Sequence, residues 1–222
     1  STHNPIHGSA CIYCNYRTVT GGIEVDQGTL GTIVWDKAGK PYMLTNQHVL
    51  IGATLPLKKV GDPVYECADK AHISPIGKFH KTLSEKNPWP LTSDPDKVLG
   101  QIGPFHDSAL AEPLIQVTDE VNGIGKITGI AEPEVDMSVR FNGRFSGIQK
   151  GKIISVGQNG FIVYPPDRTK AVATKDVFRV KIKSHLGDSG ALFVTDDNKA
   201  VGLLFAGNET KGEAVGCKAS VI

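Results

Sequence analysis

The sequence predicts an all-β protein. Three observations support this class: the apolar segments are short, glycine and proline are frequent between them at 25 and 13 of 222 residues, and helical periodicity is weak throughout. Short apolar segments separated by glycine and proline are typical of many-stranded structures. The chain is long enough to bury a sizeable core, in one large domain or two small ones.

Nine segments have the character of strands, and turn signals such as "DKAGKP" and "DDNK" separate them. In chain order these segments are 29–35, 42–46, 108–114, 152–157, 160–165, 177–183, 191–195, 200–206 and 214–221. The polar, proline-rich stretch 80–104 predicts a long surface loop. The glycine-rich link "VNGIGK" predicts a division between two strand-dense halves near residue 122.

The whole-chain composition argues against two classes of partner. The formal net charge is only +1, so the charge balance does not indicate binding to nucleic acid or to an anionic membrane. The longest apolar runs, such as "VGLLFAG" at 201–207, fall well short of the roughly 20 residues that a membrane-spanning helix needs. The sequence therefore predicts neither a nucleic-acid nor a membrane partner, and it does not define an oligomeric state.

A short polar sequence, "GDSG" at 187–190, lies just before a predicted apolar strand. It is compatible with a tight turn, since Gly, Asp and Ser are ordinary turn residues. It is also compatible with a nucleophile elbow. In that case Ser189 would attack a substrate, and the backbone N–H groups of Gly187 and Ser189 would bind an oxyanion. The tetrapeptide alone does not decide between the two.

A nucleophilic serine needs a base, usually histidine, and the base needs an orienting carboxylate. His48 follows the predicted strand "YMLTN", where a strand end would hold it, although a histidine there could equally cap or pack. His106 and His185 are rival bases. Asp107 comes just before the predicted strand "SALAEPL", a position that also suits a turn-forming residue.

The order of these residues in the chain is more informative than any one of them. His48, Asp107 and Ser189 occur within "LTNQHVL", "HDSALAE" and "GDSGALFV". Over about residues 25–221 the sequence resembles the trypsin-like (chymotrypsin-fold) serine proteases, in particular a divergent, mostly bacterial branch with plant relatives. The order His, Asp, Ser does not fit the subtilisins or the α/β-hydrolases.

The resemblance implies a role for each matching residue. Ser189 is expected to be the nucleophile, His48 the general base and then the general acid, and Asp107 the carboxylate that orients His48. We expect Nδ1 of His48 to face Asp107 and Nε2 to lie within hydrogen-bond reach of Ser189. The N–H groups of Gly187 and Ser189 are expected to form the oxyanion hole, and Asp188 to hold the turn. The strand that pairs with the substrate backbone is expected to comprise Leu204, Phe205, Ala206 and Gly207.

The resemblance also implies the architecture and the activity. The expected fold is two six-stranded antiparallel β-barrels with the active site in the crevice between them. Residues 25–122 would form the first barrel, residues 123–222 the second, and residues 1–24 an N-terminal extension. The expected activity is that of a serine endopeptidase that acts on proteins or peptides through an acyl-enzyme and needs no metal or organic cofactor.

The sequence departs from the family's pattern in three places. No Ile-Val-Gly-Gly begins the chain, so we expect Asp188 to have a partner other than a new N-terminus. Lys183 lies six residues before Ser189, where trypsins carry Asp, so a preference for Lys or Arg substrates is not expected. The chain also ends 33 residues after Ser189 without the family's usual C-terminal helix, which leaves open that it is one domain of a longer protein.

Two pockets remain compatible with Lys183. If its side chain points into the pocket, an acidic or polar substrate residue is expected. If it turns out to solvent, Ser184 and Gly207 would leave a neutral pocket for a modest apolar residue.

The four cysteines are Cys11, Cys14, Cys67 and Cys217. The segment "CIYC" has the spacing of half a zinc site, but there is no second such pair, and the positions do not follow the family's usual disulfides. The sequence therefore favours unpaired thiols in a reducing compartment over zinc or disulfides, and a cytoplasmic over a secreted location.

Two rival functions remain open. One is a catalytically silent module of the same fold that binds a peptide or a partner protein. The other is a self-processing protease whose main substrate is its own chain.

Overall fold

The structure is a computed structural model, and it describes residues 5–19, 22–51, 59–67, 74–83, 91–92, 94–163 and 171–222. The first half of the chain contains the strands β1 (Ile6–Gly8), β2 (Cys11–Val19), β3 (Gly22–Thr29), β4 (Thr32–Trp35), β5 (Pro41–Thr45), β6 (Pro63–Glu66), β7 (Gly77–Thr82), β8 (Leu91–Thr92), β9 (Ala109–Pro113) and β10 (Val117–Val121). It also contains two short helices, α1 (Gln47–Ile51) and α2 (Pro95–Leu99). No helix among the described residues is long and apolar enough to cross a membrane.

The second half consists almost entirely of strands and ends in a 3-10 turn at Ala219–Val221. Its strands are β11 (Gly125–Lys126), β12 (Gly129–Ile130), β13 (Ser138–Gly143), β14 (Gly147–Val163), β15 (Ala171–Lys181), β16 (Leu192–Val194), β17 (Lys199–Asn208) and β18 (Glu213–Lys218). The predicted all-β class is confirmed.

Two curled sheets dominate the molecule. In the first, the strands follow the order β3-β2-β6-β7-β9-β5-β4. In the second, the order β17-β16-β13-β14-β15-β18 is closed by pairing of β17 with β18, which gives a ring of six strands. The short strands β12 and β8 attach to this ring along β17 and β15, and β1, β10 and β11 form a separate three-stranded sheet. The two-barrel architecture implied by the resemblance is present, with seven strand segments rather than six in the first sheet.

The predicted N-terminal extension over residues 1–24 needs correction. Strands β2 and β3 pair from Cys11 opposite Thr29 to Val19 opposite Gly22, and both belong to the first sheet. A boundary at residue 24 therefore cuts through β3. These strands were missed because polar residues are frequent along both of them. The predicted division near residue 122 falls in the turn between β10 and β11.

The two sheets are joined by shared packing. One buried cluster takes apolar side chains from both halves, among them Leu44, Phe105 and Leu110 from the first and Val172, Leu203 and Phe205 from the second. The rings of Phe105 and Phe205 lie 5.0 Å apart between centroids. This packing fixes the position of one sheet relative to the other, which a site built from both halves requires.

The stretch 80–104 is more ordered than a plain surface loop. Strand β8 pairs with the start of β15 in the second sheet, and α2 begins after Asp94, whose side chain accepts a 3.4 Å hydrogen bond from the Lys97 N–H. A carboxylate at that position satisfies an N–H group that lacks a partner within the helix. Residues 84–90 and 93 of this stretch lie outside the described residues.

The predicted state of the cysteines is wrong for two of them. Cys11 and Cys67 form a disulfide with a Cα–Cα distance of 5.3 Å. Pairing of β2 with β6 brings them together, since Ile12 lies opposite Glu66 and the Cys67 N–H donates to the Cys11 carbonyl. Cys217 is a free, buried thiol, and the side chain of Cys14 lies outside the described part of the chain.

Candidate active site

A histidine and a carboxylate meet where two strands of the first sheet end. His48 is the second residue of α1, directly after β5, and Asp107 precedes β9, which pairs with β5. Nδ1 of His48 is hydrogen-bonded to Oδ2 of Asp107, and the His48 backbone N–H donates to Oδ1 at 3.1 Å. Asp107 is fully buried, so its carboxylate has lost its contacts with water. Two N–H groups of His48 replace them. A carboxylate beside Nδ1 favours the tautomer that carries its proton there. Nε2 is then the ring nitrogen that can accept a proton.

Asn46 supports this pair from behind. It is fully buried at the end of β5, and its side-chain amide donates a 2.6 Å hydrogen bond to the backbone carbonyl of Asp107. The segment that carries Asp107 is thereby held to the segment that carries His48. Sequence reasoning did not select Asn46, although it lies within "LTNQHVL".

The turn 187–190 lies between β15 and β16 and needs glycine at both ends. Gly187 and Gly190 have φ values of +99° and +95°, a region that side chains make costly. A Cβ on Gly190 would also collide with the Thr29 carbonyl and the Thr45 hydroxyl. The two glycines of "GDSG" are therefore required by this backbone conformation, whatever chemistry the turn performs.

Most of the peptide groups of this turn have hydrogen-bond partners. The carbonyls of Gly187, Asp188 and Ser189 accept from the Thr29 hydroxyl, the Ala191 N–H and the Thr29 N–H. The N–H groups of Asp188 and Gly190 donate to the carbonyls of His185 and Leu204. Within the described part of the chain, the N–H groups of Gly187 and Ser189 have no acceptor. Two donors on either side of Asp188 are thus left available for a ligand, an arrangement that can bind an oxyanion.

The Asp188 carboxylate holds the turn in place from inside the protein. It is fully buried and accepts four hydrogen bonds, from the N–H groups of Phe145, Ser146 and His185 and from the Ser146 hydroxyl, at 2.5–3.0 Å. As expected, this carboxylate has partners other than a new N-terminus. A Cβ on Gly143 would collide with this carboxylate, so the β13–β14 hairpin can approach closely only with glycine there.

Gly28 brings the turn against the helix that carries His48. A Cβ at this position would collide with the Val49 side chain and lie 2.9 Å from the Ser189 carbonyl oxygen. The residue after His48 and the backbone of Ser189 therefore meet at the same point of β3. The Ser189 hydroxyl makes no hydrogen bond with any described residue. The expected hydrogen bond between this hydroxyl and Nε2 of His48 is therefore not formed.

Comparison with known proteins gives a result in structure but not in sequence. No protein-family model matches the chain, and no curated protein matches it by sequence. Among solved structures, the Nocardiopsis protease is 18% identical with a TM-score of 0.62, over 96% of this chain and 92% of that chain. Thermobifida fusca protease A is 19% identical with a TM-score of 0.62, over 96% and 91%.

A third similar structure is a serine protease described as specific for glutamic acid. It is 16% identical with a TM-score of 0.65, over 97% of this chain and 94% of that chain. The fold is that of the chymotrypsin-like serine proteases. At these identities the likeness extends to the fold, and the chemistry rests on the residues of this chain.

Within the chymotrypsin-like fold, the rival histidines do not replace His48. His106 is buried, its Nδ1 lies 2.9 Å from the Ser108 hydroxyl, and burial lowers its pKa against the opposing pull of the Asp107 charge. His185 is exposed and pairs with Glu209 at 3.1 Å. Neither ring contacts the Asp107 carboxylate among the described hydrogen bonds.

The predicted substrate-binding residues of β17 divide into two groups. The Leu204 N–H donates to the Ala191 carbonyl and the Leu204 carbonyl accepts from the Gly190 N–H, so these backbone groups support the turn, and a role of Leu204 in substrate binding stays a prediction. Residues 205–207 extend past the last β17 residue that pairs with β16, which is Leu203, and have β18 on one side.

The residues expected to line the pocket differ in their exposure to solvent. Lys183 is exposed, whereas Ser184 is buried against Gly207, where a Cβ would collide with the Ser184 hydroxyl. No cluster of three or more His, Cys, Asp or Glu side chains that could hold a metal is found in the described part of the chain.

Proposed function

We propose that this protein is a serine endopeptidase in which Ser189, His48 and Asp107 form the catalytic triad. The observation that carries the proposal is the turn 187–190, in which the two N–H groups without an acceptor belong to Gly187 and Ser189. These two donors flank Asp188 in the same turn as the Ser189 hydroxyl, so they can bind the oxyanion that attack by this hydroxyl would form. The His48–Asp107 pair beside it supplies the base and the orienting carboxylate that a serine nucleophile requires.

The chemistry follows from these positions. Oγ of Ser189 attacks the substrate carbonyl carbon, and Nε2 of His48 takes the hydroxyl proton. The oxyanion that forms is bound by the N–H groups of Gly187 and Ser189, and the buried Asp107 carboxylate stabilises the imidazolium. His48 returns the proton to the leaving amine, which leaves Ser189 acylated. A water molecule then repeats the sequence and releases the acid.

The substrate would be a peptide segment of a protein, bound in extended form. Residues 205–207 of β17 offer a strand edge for it beyond the pairing with β16. Ser184 with Gly207 would line a neutral pocket beside the scissile bond.

A specific observation favours the silent binding module as the rival. The Ser189 hydroxyl makes no hydrogen bond with His48 or with any other described residue. In the protease, rotation of the Ser189 side chain closes this contact, and hydrogen bonds at catalytic sites are commonly long before substrate binds. In the module, the contact never forms and the serine stays unreactive.

A fluorophosphonate probe separates the two functions, because fluoride is displaced by Ser189 only where a base activates the hydroxyl. We expect the wild-type protein to be labelled at Ser189, as located by peptide mass spectrometry. Ser189→Ala and His48→Ala should abolish labelling, and Ser138→Ala, which removes an exposed serine at the start of β13, should not change it. A folded wild-type protein that is not labelled would refute the protease and leave the binding module as the alternative. Cleavage of its own chain, absent in Ser189→Ala, would indicate self-processing.

A further inference from the structure

We propose that Thr29 is a positioning residue that orients the oxyanion-binding turn from the opposite sheet. The proposal rests on the proposed function of that turn. Thr29 is the last residue of β3 and is fully buried, and it lies 160 positions before Ser189 in the chain. It belongs to neither the His48 nor the Ser189 motif.

Thr29 makes four hydrogen bonds, and two of them go to residues of the turn itself. Its N–H donates to the Ser189 carbonyl at 2.8 Å, and its carbonyl accepts from the Thr45 hydroxyl at 2.7 Å. Its hydroxyl donates to the Gly187 carbonyl at 2.8 Å and accepts from the Arg144 N–H at 2.9 Å. A hydroxyl has one proton to donate, so the direction of its bond to Gly187 is fixed.

The bond to Gly187 controls the orientation of a peptide group. The peptide that joins Gly187 to Asp188 is planar, so holding its two edges fixes its plane. Thr29 holds the carbonyl edge, and the His185 carbonyl holds the N–H edge at 3.1 Å. Gly187 has no side chain to restrict its rotation at a φ of +99°, so these two bonds anchor the chain directly after its Cα and limit the rotations that would turn its own N–H, which belongs to the preceding peptide.

The second bond of the hydroxyl extends its influence to Asp188. Arg144, which donates to Thr29, is followed directly by Phe145 and Ser146, whose N–H groups hold the Asp188 carboxylate. The Thr29 hydroxyl thus bonds both to the turn, at the Gly187 carbonyl, and to the hairpin segment that holds Asp188. Without it, the Gly187 carbonyl and the Arg144 N–H, both in partly buried hydrogen bonds, would each lose a partner.

Thr29→Val tests this directly, because valine keeps the shape and the β-branch but lacks the hydroxyl. We expect kcat for a chromogenic ester to fall by about 10- to 100-fold with little change in KM, since the loss concerns the transition state and not ground-state binding. Thr29→Ser should restore most of kcat. Thr32→Val is the matched control, because its buried hydroxyl bonds the neighbouring Ile33 carbonyl and no other described residue, and its kcat should stay at the wild-type value.

A second measurement does not depend on activity. Backbone amide resonances of Gly187 and Ser189 should shift in Thr29→Val, return in Thr29→Ser and stay unchanged in Thr32→Val. Unchanged resonances and kcat in a folded Thr29→Val protein would overturn the positioning role, as would a Thr29→Ser protein as impaired as Thr29→Val. A wild-type protein that hydrolyses no ester would refute the proposed function instead, and the amide shifts would still decide the role of Thr29.

Discussion

The Ser146 hydroxyl donates a 2.5 Å hydrogen bond to Oδ2 of Asp188, the residue immediately before Ser189. Three backbone N–H groups complete the environment of this buried carboxylate, and among the described residues no Lys, Arg or His side chain forms an ion pair with it. The turn is therefore held by hydrogen bonds that form as the chain folds.

Ser146→Ala should weaken both the fold and the activity, because it removes one of four donors to a buried charge. Hydrogen bonds to charged groups contribute about 1.5–3 kcal/mol, and we expect a loss of that order in the free energy of unfolding in urea. The value of kcat should fall as well. Ser155→Ala is the control: no described residue bonds that buried hydroxyl, so its removal should leave stability within about 0.5 kcal/mol. Equal stability of the two variants would contradict the role of Ser146.

Asp107→Asn should preserve the fold and lower kcat by several powers of ten, on the order of 10⁴, because an amide favours the wrong tautomer of His48. Steady-state hydrolysis of a peptide or ester measures the effect. Asp36→Asn is the control, since Asp36 is an exposed residue that accepts two N–H groups within its own turn. A decrease of less than tenfold in Asp107→Asn would remove His48–Asp107 from the mechanism.

His106 should make the protein less stable in mild acid. Burial lowers its pKa in the folded state below the usual 6.5, so the unfolded chain binds a proton that the folded protein does not. Stability is then fully present above pH 6.5 and decreases as the pH falls from there through the lowered folded value. Unfolding in urea at pH 7 and pH 5 should show a larger loss in the wild type than in His106→Gln. An equal loss would show that folding does not lower the pKa of His106.

Reduction of Cys11–Cys67 should destabilise the protein by roughly 4 kcal/mol, because the bond closes a loop with a sequence separation of 56. Urea unfolding with and without dithiothreitol measures the difference. Cys217→Ala should respond to the reductant like the wild type, since burial raises the pKa of that free thiol to about 12 and keeps it unreactive. An unfolding midpoint that does not change on reduction would show that the disulfide does not stabilise the fold.

We expect no preference for Lys or Arg before the cleaved bond. Lys183 is exposed where trypsins carry a carboxylate, and the buried Ser184 beside Gly207 leaves an uncharged wall. A peptide library should therefore favour a modest apolar residue, with the same ranking in Lys183→Ala. A dominant Arg preference that persists in Lys183→Ala would show that the pocket is formed by other residues.

The strands predicted best from sequence are the apolar ones around the site. Strands β5, β9, β16 and β17 lie within about two residues of the predicted segments, since burial on both faces leaves a continuous apolar run. The predicted break between 157 and 160 is absent, because β14 is a single strand from Gly147 to Val163. Gly157 adopts a φ of +65°, and shifts in the β14–β15 register there bend the strand without ending it.

What the sequence could not predict depends on contacts between distant parts of the chain. Nothing around Thr29 or Ser146 indicates that their hydroxyls meet Gly187 and Asp188, 158 and 42 residues away. The pairing of Cys11 with Cys67 likewise depends on the register of β2 against β6. The Ser189 motif could be found in the sequence because its glycines are required by the conformation of one turn. The side chains that hold this turn in place come from distant parts of the chain.

Strand β8 comes from the first half of the chain and completes the edge of the second sheet at Ala171 and Val172. Together with the mixed cluster around Phe105 and Phe205, it ties the second sheet to the first half of the chain, beside the buried apolar cluster that each half has of its own. Loss of either sheet on heating would expose the apolar surface that the two share, so we expect both to unfold in one cooperative transition. A ligand bound between them should then raise the melting temperature of the whole chain.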